Sequence, residues 1–224
     1  LRTCSSDKEN LVRSIPELID HTNLSQDAVV DDIIKLCEEA VKFGFASVCV
    51  NPIHVELVSS IIKNKKSKVC TVIGFPLGAD SSEMKFAETR FLVHQGAEEL
   101  DMVLNVGALK QGEIGIVEDE IDKVIKASNG RCVKVIIETC LLSKAEKVLA
   151  CNIAREKGAD FIKTSTGFSF GGATIEDVKL IRQILGEDMG VKASGGIKTL
   201  PHFQSMVAAG ANRIGTSNGV HLVT

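Results

Sequence analysis

The chain is 224 residues long, enough for one large domain or two small ones with a substantial core. Hydrophobic residues make up 44% and charged residues 25%, the proportions of an ordinary globular protein. A formal net charge of -3 argues against nucleic acid as a partner, and an aromatic content of 4%, with no Trp and no Tyr, argues against base-stacking platforms.

Residues 1–15 are polar and read as a helical N-terminal extension, ahead of a single domain over 16–224. The apolar run ELIDHT, ending near Asp20 to Thr22, is the first strand. In SQDAVVDDIIKLCEEAVKF, the positions Val29, Val30, Ile33, Ile34, Cys37, Ala40 and Val41 recur at three and four residues. That spacing is one face of an amphipathic helix, which Gly44 ends. SVCV (47–50) is a short, β-branched buried strand, and Pro52 opens a second helix, where its missing N–H does no harm. KVCTVIG (68–74) is a strand, with a helix from about 82 to 94. ELDMVLN (99–105) is a strand, with a helix from about 114 to 127. CVKVIIET (132–139) is the fifth strand, and Ser143 with Glu146 forms a capping box for the next helix. DFIKT and MGVKAS are the sixth and seventh strands, each followed by a helix, one capped at Thr174 and one with Pro201 in its first turn. NRIG (212–215) is the last strand.

The strands begin near residues 17, 46, 68, 99, 132, 160, 189 and 212. Eight regular strand–helix units predict a closed TIM (β/α)8 barrel in one domain. A doubly wound open sheet is the competing architecture, but it gathers its site at one switch point. The unusual polar residues lie at or near the ends of strands one, four, five, six, seven and eight, which only a ring brings together.

The seven cysteines include no CxxC pair, so zinc-knuckle and thioredoxin-type motifs are excluded. An odd number without a spacing framework points to a reducing compartment, and a cytoplasmic protein is expected. The first ten residues, LRTCSSDKEN, lack the apolar centre of a signal peptide, and no apolar run approaches a membrane span. The five histidines have no metal-ligand spacing, so no metal is expected.

The candidate chemistry lies in two strands that carry lysines where apolar residues belong. Lys163 sits in GADFIKTSTGF and Lys192 in GVKASGG, and each strand runs into a turn of small residues. Asp101, on the fourth strand, shares an alternating face with Val103 and Asn105. The alternatives to catalysis are a polar network in the barrel core for Asp101 and lysines that snorkel outward between helices. A lysine attacks a carbonyl only as the neutral amine, and lowering its pKa from about 10.4 to about 7.5 takes roughly 4 kcal/mol. A second cation about 6 Å away, at an effective dielectric of about 20, supplies roughly 2.8 kcal/mol of that, and desolvation can provide the rest. Spacing does not say which lysine would form an imine. Gly195 and Gly196 after strand seven, and Gly215 and Ser217 around the end of strand eight, suit a phosphate, with Lys198 nearby and Thr166 and Gly167 adding to it. Glu138, ending strand five, either pairs with a lysine or is a structural acid. Asp20 and Cys49, on strands one and two, are further supporting candidates.

Together, the motifs LIDHTNL, SVCVNP, VIGFPLG, ELDMVLNVGALKQG, VKVIIET, GADFIKTSTGF, VKASGGIKT and RIGTSNGV resemble the deoxyribose-phosphate aldolase family, from about Pro16 to the end of the chain. The resemblance implies a class I aldolase on a TIM barrel. Such an enzyme reversibly cleaves 2-deoxy-D-ribose 5-phosphate to D-glyceraldehyde 3-phosphate and acetaldehyde, without metal or cofactor. It also implies residue roles: Lys163 forms the imine, Lys192 is the neighbouring cation and proton partner, and Asp101 is proton donor and acceptor through water. Gly195, Gly196, Gly215 and Ser217 match the phosphate loops, and a homodimer is implied. Two departures stand out. Many bacterial relatives carry a lysine after the STG turn, where this chain has Phe168, and some use a tail tyrosine, whereas this chain contains none. The competing readings are another class I aldolase or barrel isomerase acting on a sugar phosphate, and a non-catalytic barrel that binds one.

Overall fold

The computed structural model describes residues 14–224. The extension expected over 1–15 lies outside the described residues except at its end, where a 3-10 turn spans Ile15–Leu18. Eight strands follow: β1 Ile19–Asn23, β2 Ser47–Val50, β3 Lys68–Ile73, β4 Glu99–Val103, β5 Cys132–Ile136, β6 Phe161–Lys163, β7 Gly190–Ser194 and β8 Arg213–Thr216. Each pairs in parallel with the next, and β8 pairs with β1, so the sheet closes into the expected (β/α)8 barrel. The helices are α1 Val30–Phe43, α2 Val55–Ile61, α3 Ser82–Gln95, α4 Val106–Gln111, α5 Ile114–Ser128, α6 Lys144–Lys157, α7 Ile175–Leu185, α8 Leu200–Ala208 and α9 Gly219–Val223.

Local chemistry sets these boundaries. Ser143 accepts from the Glu146 amide at 3.3 Å, and Glu146 reaches back to the Ser143 amide at 2.7 Å, a reciprocal cap on α6. Thr174 caps α7 through the Asp177 amide at 3.0 Å. Gly158 ends α6 at φ +86°, a left-handed conformation that glycine adopts without strain, and turns the chain into β6.

Three expectations change. Pro52 opens a 3-10 turn, Pro52–His54, before α2 begins. The short helix α4 was not predicted, and Asn105, read as part of strand four, is its N-cap, accepting from the Ala108 amide at 3.0 Å. On α1, Val29, Val30 and Val41 are exposed, and the buried face is Ile33, Leu36, Cys37 and Ala40. Val29 is the N-cap and lies ahead of the helix.

Alternation along the strands separates two environments. Val48, Leu100, Met102, Val135, Ile162 and Val191 point outward and join the helices in one large core. Each such side chain contributes roughly 1.5–3 kcal/mol by burial. Inside the barrel, Cys49, Cys70 and Val72 form a small separate cluster with Leu24 and Phe75. Asp20, Glu99, Asp101, Lys134, Lys163, Lys192 and Arg213 also point into the barrel.

Candidate active site

The charged cluster is built from the register of the strands. Lys163 and Lys192 are register partners on β6 and β7, and Asp101 and Lys134 are partners on β4 and β5. All four side chains turn inward. Lys163 Nζ donates to Asp101 Oδ2 at 2.8 Å, and Lys192 Nζ donates to the same oxygen at 2.7 Å. Lys134 Nζ donates to Asp101 Oδ1 at 2.8 Å and meets Glu99 at 2.6 Å. Lys192 also contacts Asp20, which in turn accepts from Ser47 Oγ at 2.6 Å and from Arg213 Nη1 at 2.6 Å. Arg213 reaches Glu99 at 2.9 Å, so the cluster is continuous.

Backbone room is part of the design. Gly215 faces Asp20 across the β1–β8 pair, and a Cβ there would stand 3.1 Å from Lys192 Cε. Gly215, expected on the phosphate side, lies buried within β8, where it makes space for the lysine side chain.

The four basic groups Lys134, Lys163, Lys192 and Arg213 surround three carboxylates, Asp20, Glu99 and Asp101. Burial opposes ionisation of Asp101, but Lys134, Lys163 and Lys192 outweigh it and hold its carboxyl well below the usual range. Asp20 is lowered in the same way, against burial, by Lys192, Arg213 and Lys134. Burial alone would favour neutral Lys134 and Lys192, but their carboxylate partners hold both above the ordinary lysine range. The count therefore leaves one basic group in surplus.

Over the C-terminal ends of the strands opens a cavity of about 1300 Å³. Of the buried lysines in the cluster, Lys163 lines it, and Lys134 and Lys192 do not. Also on its walls are Thr166, Gly167, Phe168, Gly195, Gly196, Lys198, Gly215 and Ser217, so every expected phosphate-side residue faces one space. Gly167, Gly195 and Gly196 take φ values of +86°, +88° and +82°. At Gly195 a Cβ would lie 2.9 Å from the Gly172 backbone, so that turn packs too closely for any other residue.

Other candidates have different surroundings. Among the described residues, Glu138 meets no lysine. It accepts from the Thr166 amide at 3.3 Å and from the Thr166 hydroxyl, and it ties the end of β5 to the turn after β6. Of the two readings of Glu138, the structural acid is the one its contacts support. Cys49 is fully buried, off the cavity wall, opposite Cys70 on β3. A hydrogen bond from Cys70 lowers the Cys49 thiol despite burial, while burial pushes Cys70 well above its usual value. The donor atoms of Cys49, Cys70 and Asp101 lie within 4.8 Å of one another, but Asp101 already carries three ammonium partners that a metal ion would have to displace.

Sequence reasoning missed Lys134, Glu99 and Arg213. A signal existed for the first: Lys134 interrupts the apolar run CVKVIIET just as Lys163 and Lys192 interrupt theirs. Nothing in NRIG marked Arg213 as inward-facing.

A closed parallel barrel with a cavity over the C-terminal ends of its strands, and with buried lysines and carboxylates beneath it, has the frame of a barrel enzyme. Residues 16–222 match the model of the DeoC/LacD family aldolases, and the chain belongs to that family. It is 54% identical over 213 residues to deoxyribose-phosphate aldolase of Thermococcus gammatolerans, covering 93% of this chain and 95% of that one. It is 54% identical over 205 residues to deoxyribose-phosphate aldolase of Streptococcus gordonii, covering 92% and 93%. Among solved structures, the tetrameric deoxyribose phosphate aldolase of Aeropyrum pernix superposes with a TM-score of 0.87 at 34% identity, covering 93% of this chain and 89% of that one. Among the described residues, no helix is long and apolar enough to cross a membrane.

Proposed function

We propose that the chain catalyses the reversible aldol cleavage of 2-deoxy-D-ribose 5-phosphate to D-glyceraldehyde 3-phosphate and acetaldehyde through an imine on Lys163. One observation carries the choice of lysine: it alone among the cluster's three lysines opens onto the cavity. The neutral Lys163 amine adds to the C1 aldehyde and water leaves, giving a protonated imine. The C2–C3 bond then breaks as the C3 hydroxyl loses its proton. Its electron pair passes into the imine to form an enamine, and glyceraldehyde 3-phosphate departs. Protonation at C2 and hydrolysis return acetaldehyde and the free lysine, so no proton or electron is left over.

Asp101 stays ionised and holds Lys192 as an ammonium, with both against Lys163. In the free site the carboxylate is therefore an acceptor before it is a donor, and it exchanges protons with substrate through water. The turns at Gly195 and Gly196 and at Ser217, with Lys198, receive the phosphate on the wall formed after β7 and β8. Thr166 and Gly167 border the same space, with the Thr166 hydroxyl committed to Glu138. Asp20 and Cys49 act from behind, Asp20 as the second carboxylate on Lys192. The reading includes a cytoplasmic setting, supported by six free cysteines among the described residues. It also includes self-association as a homodimer, which light scattering checks.

The test is acetaldehyde with borohydride, in the presence of a chelator. A two-carbon adduct on Lys163, together with chelator-resistant cleavage of deoxyribose 5-phosphate, is the expected result. A folded protein that never traps the aldehyde would remove the proposal.

A further inference from the structure

A second buried ion pair lies outside the barrel, between α3 and α5. Lys85 and Glu120 are 0% and 1% exposed, with Nζ to Oε2 at 2.5 Å. Every donor of the ammonium is used, the other two on Gly78 O at 2.9 Å and Val103 O at 2.8 Å. Glu120 Oε1 accepts from the Asn105 amide at 2.6 Å. The pair thus joins five pieces of chain: α3, the turn after β3, the last residue of β4, the N-cap of α4, and α5. A buried pair of this kind adds little net stability compared with apolar packing, so geometry is what it supplies.

That geometry reaches the cavity. The turn is folded tightly, with Gly78 N on Gly74 O at 2.8 Å and Gly74 N on Glu88 Oε2 at 2.8 Å. At Gly78, φ is +67° and a Cβ would stand 2.3 Å from Leu104 O, so the turn lies directly on the end of β4. Between these glycines, Phe75 meets the Phe168 ring edge-on at 5.3 Å. Pro76 and Leu77 wall a side chamber of about 120 Å³ whose other wall includes Thr166 and Phe168. Thr166 and Phe168 are also walls of the main cavity. Val103, held by Lys85, is two residues from Asp101.

We propose that Lys85 and Glu120 are positioning residues for the aldol reaction. They clamp the 74–78 turn against the end of β4, so that Phe75, Pro76 and Leu77 hold the Phe168 side of the cavity in its binding shape. The kinetic part rests on the proposed function; the positioning of the turn does not.

The test compares native protein with Lys85→Met and with Glu120→Gln, which keeps the acceptor for Asn105. Hydrogen exchange at Gly78 and Asn105 is measured beside kcat, KM and acetaldehyde trapping. Loss of protection confined to 74–78 and 103–106 is expected, with KM for deoxyribose 5-phosphate raised about tenfold and trapping at Lys163 unchanged. If Lys85→Met does not fold, Glu120→Gln decides alone. Native exchange in that segment and a native KM in a folded variant would overturn the proposal, as would protection lost evenly across the barrel. If the native protein neither cleaves nor traps, the functional reading fails, and the exchange pattern still decides the clamp.

Discussion

The barrel interior and the α3–α5 seam both bury lysines against carboxylates, yet they are built differently. In the seam, one ammonium faces one carboxylate, and backbone carbonyls and an amide fill every remaining site. In the interior, Lys134, Lys163, Lys192 and Arg213 share Asp20, Glu99 and Asp101, so the basic groups outnumber the acids. The seam is closed and balanced, which suits a joint. The interior is unbalanced and opens to a cavity at Lys163, which suits a nucleophile. The same pair of residue types is thus set apart in the two places by charge count and by access to the cavity.

The strongest way to break this contrast is Lys163→Ala. It removes the surplus basic group without leaving a carboxylate bare, since Asp101 keeps Lys134 and Lys192. Activity is expected to fall by on the order of 10⁴-fold or more, with circular dichroism unchanged and no borohydride adduct. Native turnover in this variant would reject the contrast outright. Lys192→Met is next. It removes the second amine on Asp101 Oδ2 beside Lys163, and kcat is expected to drop by about 10²–10⁴-fold. Its cost in stability should stay near the lower end of the roughly 3–5 kcal/mol for breaking a buried pair, because Asp20 keeps Arg213. Chemical denaturation measures this, and a loss of stability without a loss of rate would reverse the roles assigned to the two regions.

Titration sharpens the comparison further. Asp20 and Asp101 have folded-state pKa values below their unfolded ones, so their contribution is present above about pH 4 and is lost as pH falls through the folded values. Lys134 and Lys192 are raised, so theirs is present below about pH 10.4 and is lost as pH rises through the folded values. The cluster's contribution to the melting temperature should therefore be nearly flat between these limits and decline outside them, while His21, lowered by burial, adds a loss as pH falls below about 6.5. A steep change near pH 7 would contradict the cluster as drawn. The smallest effect is expected from Glu138→Gln, which weakens the hold on Thr166 at the cavity edge. A loss of about 1–2 kcal/mol in thermal unfolding is expected, with intact acetaldehyde trapping, and a total loss of trapping would make Glu138 part of the chemistry.

Much of this was legible in the chain. Short apolar runs at regular intervals, each followed by a capped helical pattern, were enough for eight strands, with starts within about two residues of those observed. Lys163, Lys192 and Asp101 stood out because each interrupts a dry strand. Alternation also put Asn105 beside Asp101, but β4 ends at Val103, and beyond that point a strand's alternation has no meaning. Glu138 is expected to end its strand, but β5 stops at Ile136, and nothing local makes Glu138 choose a threonine amide over a lysine. Lys85 looked like any helical lysine, since nothing in α3 says that α5 and a glycine turn close over it.

The amino-acid order by itself determined the local choices: which segments extend, which coil, where glycine and the caps stop them, and which polar groups sit where oil should be. Those follow from backbone sterics and from a periodicity that spans a few residues. Only the closed ring decided which of the lysines meets solvent, which carboxylates they share, and which arginine joins them. Those contacts link positions 62 and 91 residues apart, and the angle at which each strand enters the ring sets them. No neighbouring residue encodes that angle; it emerges when all eight strands and their helices pack at once.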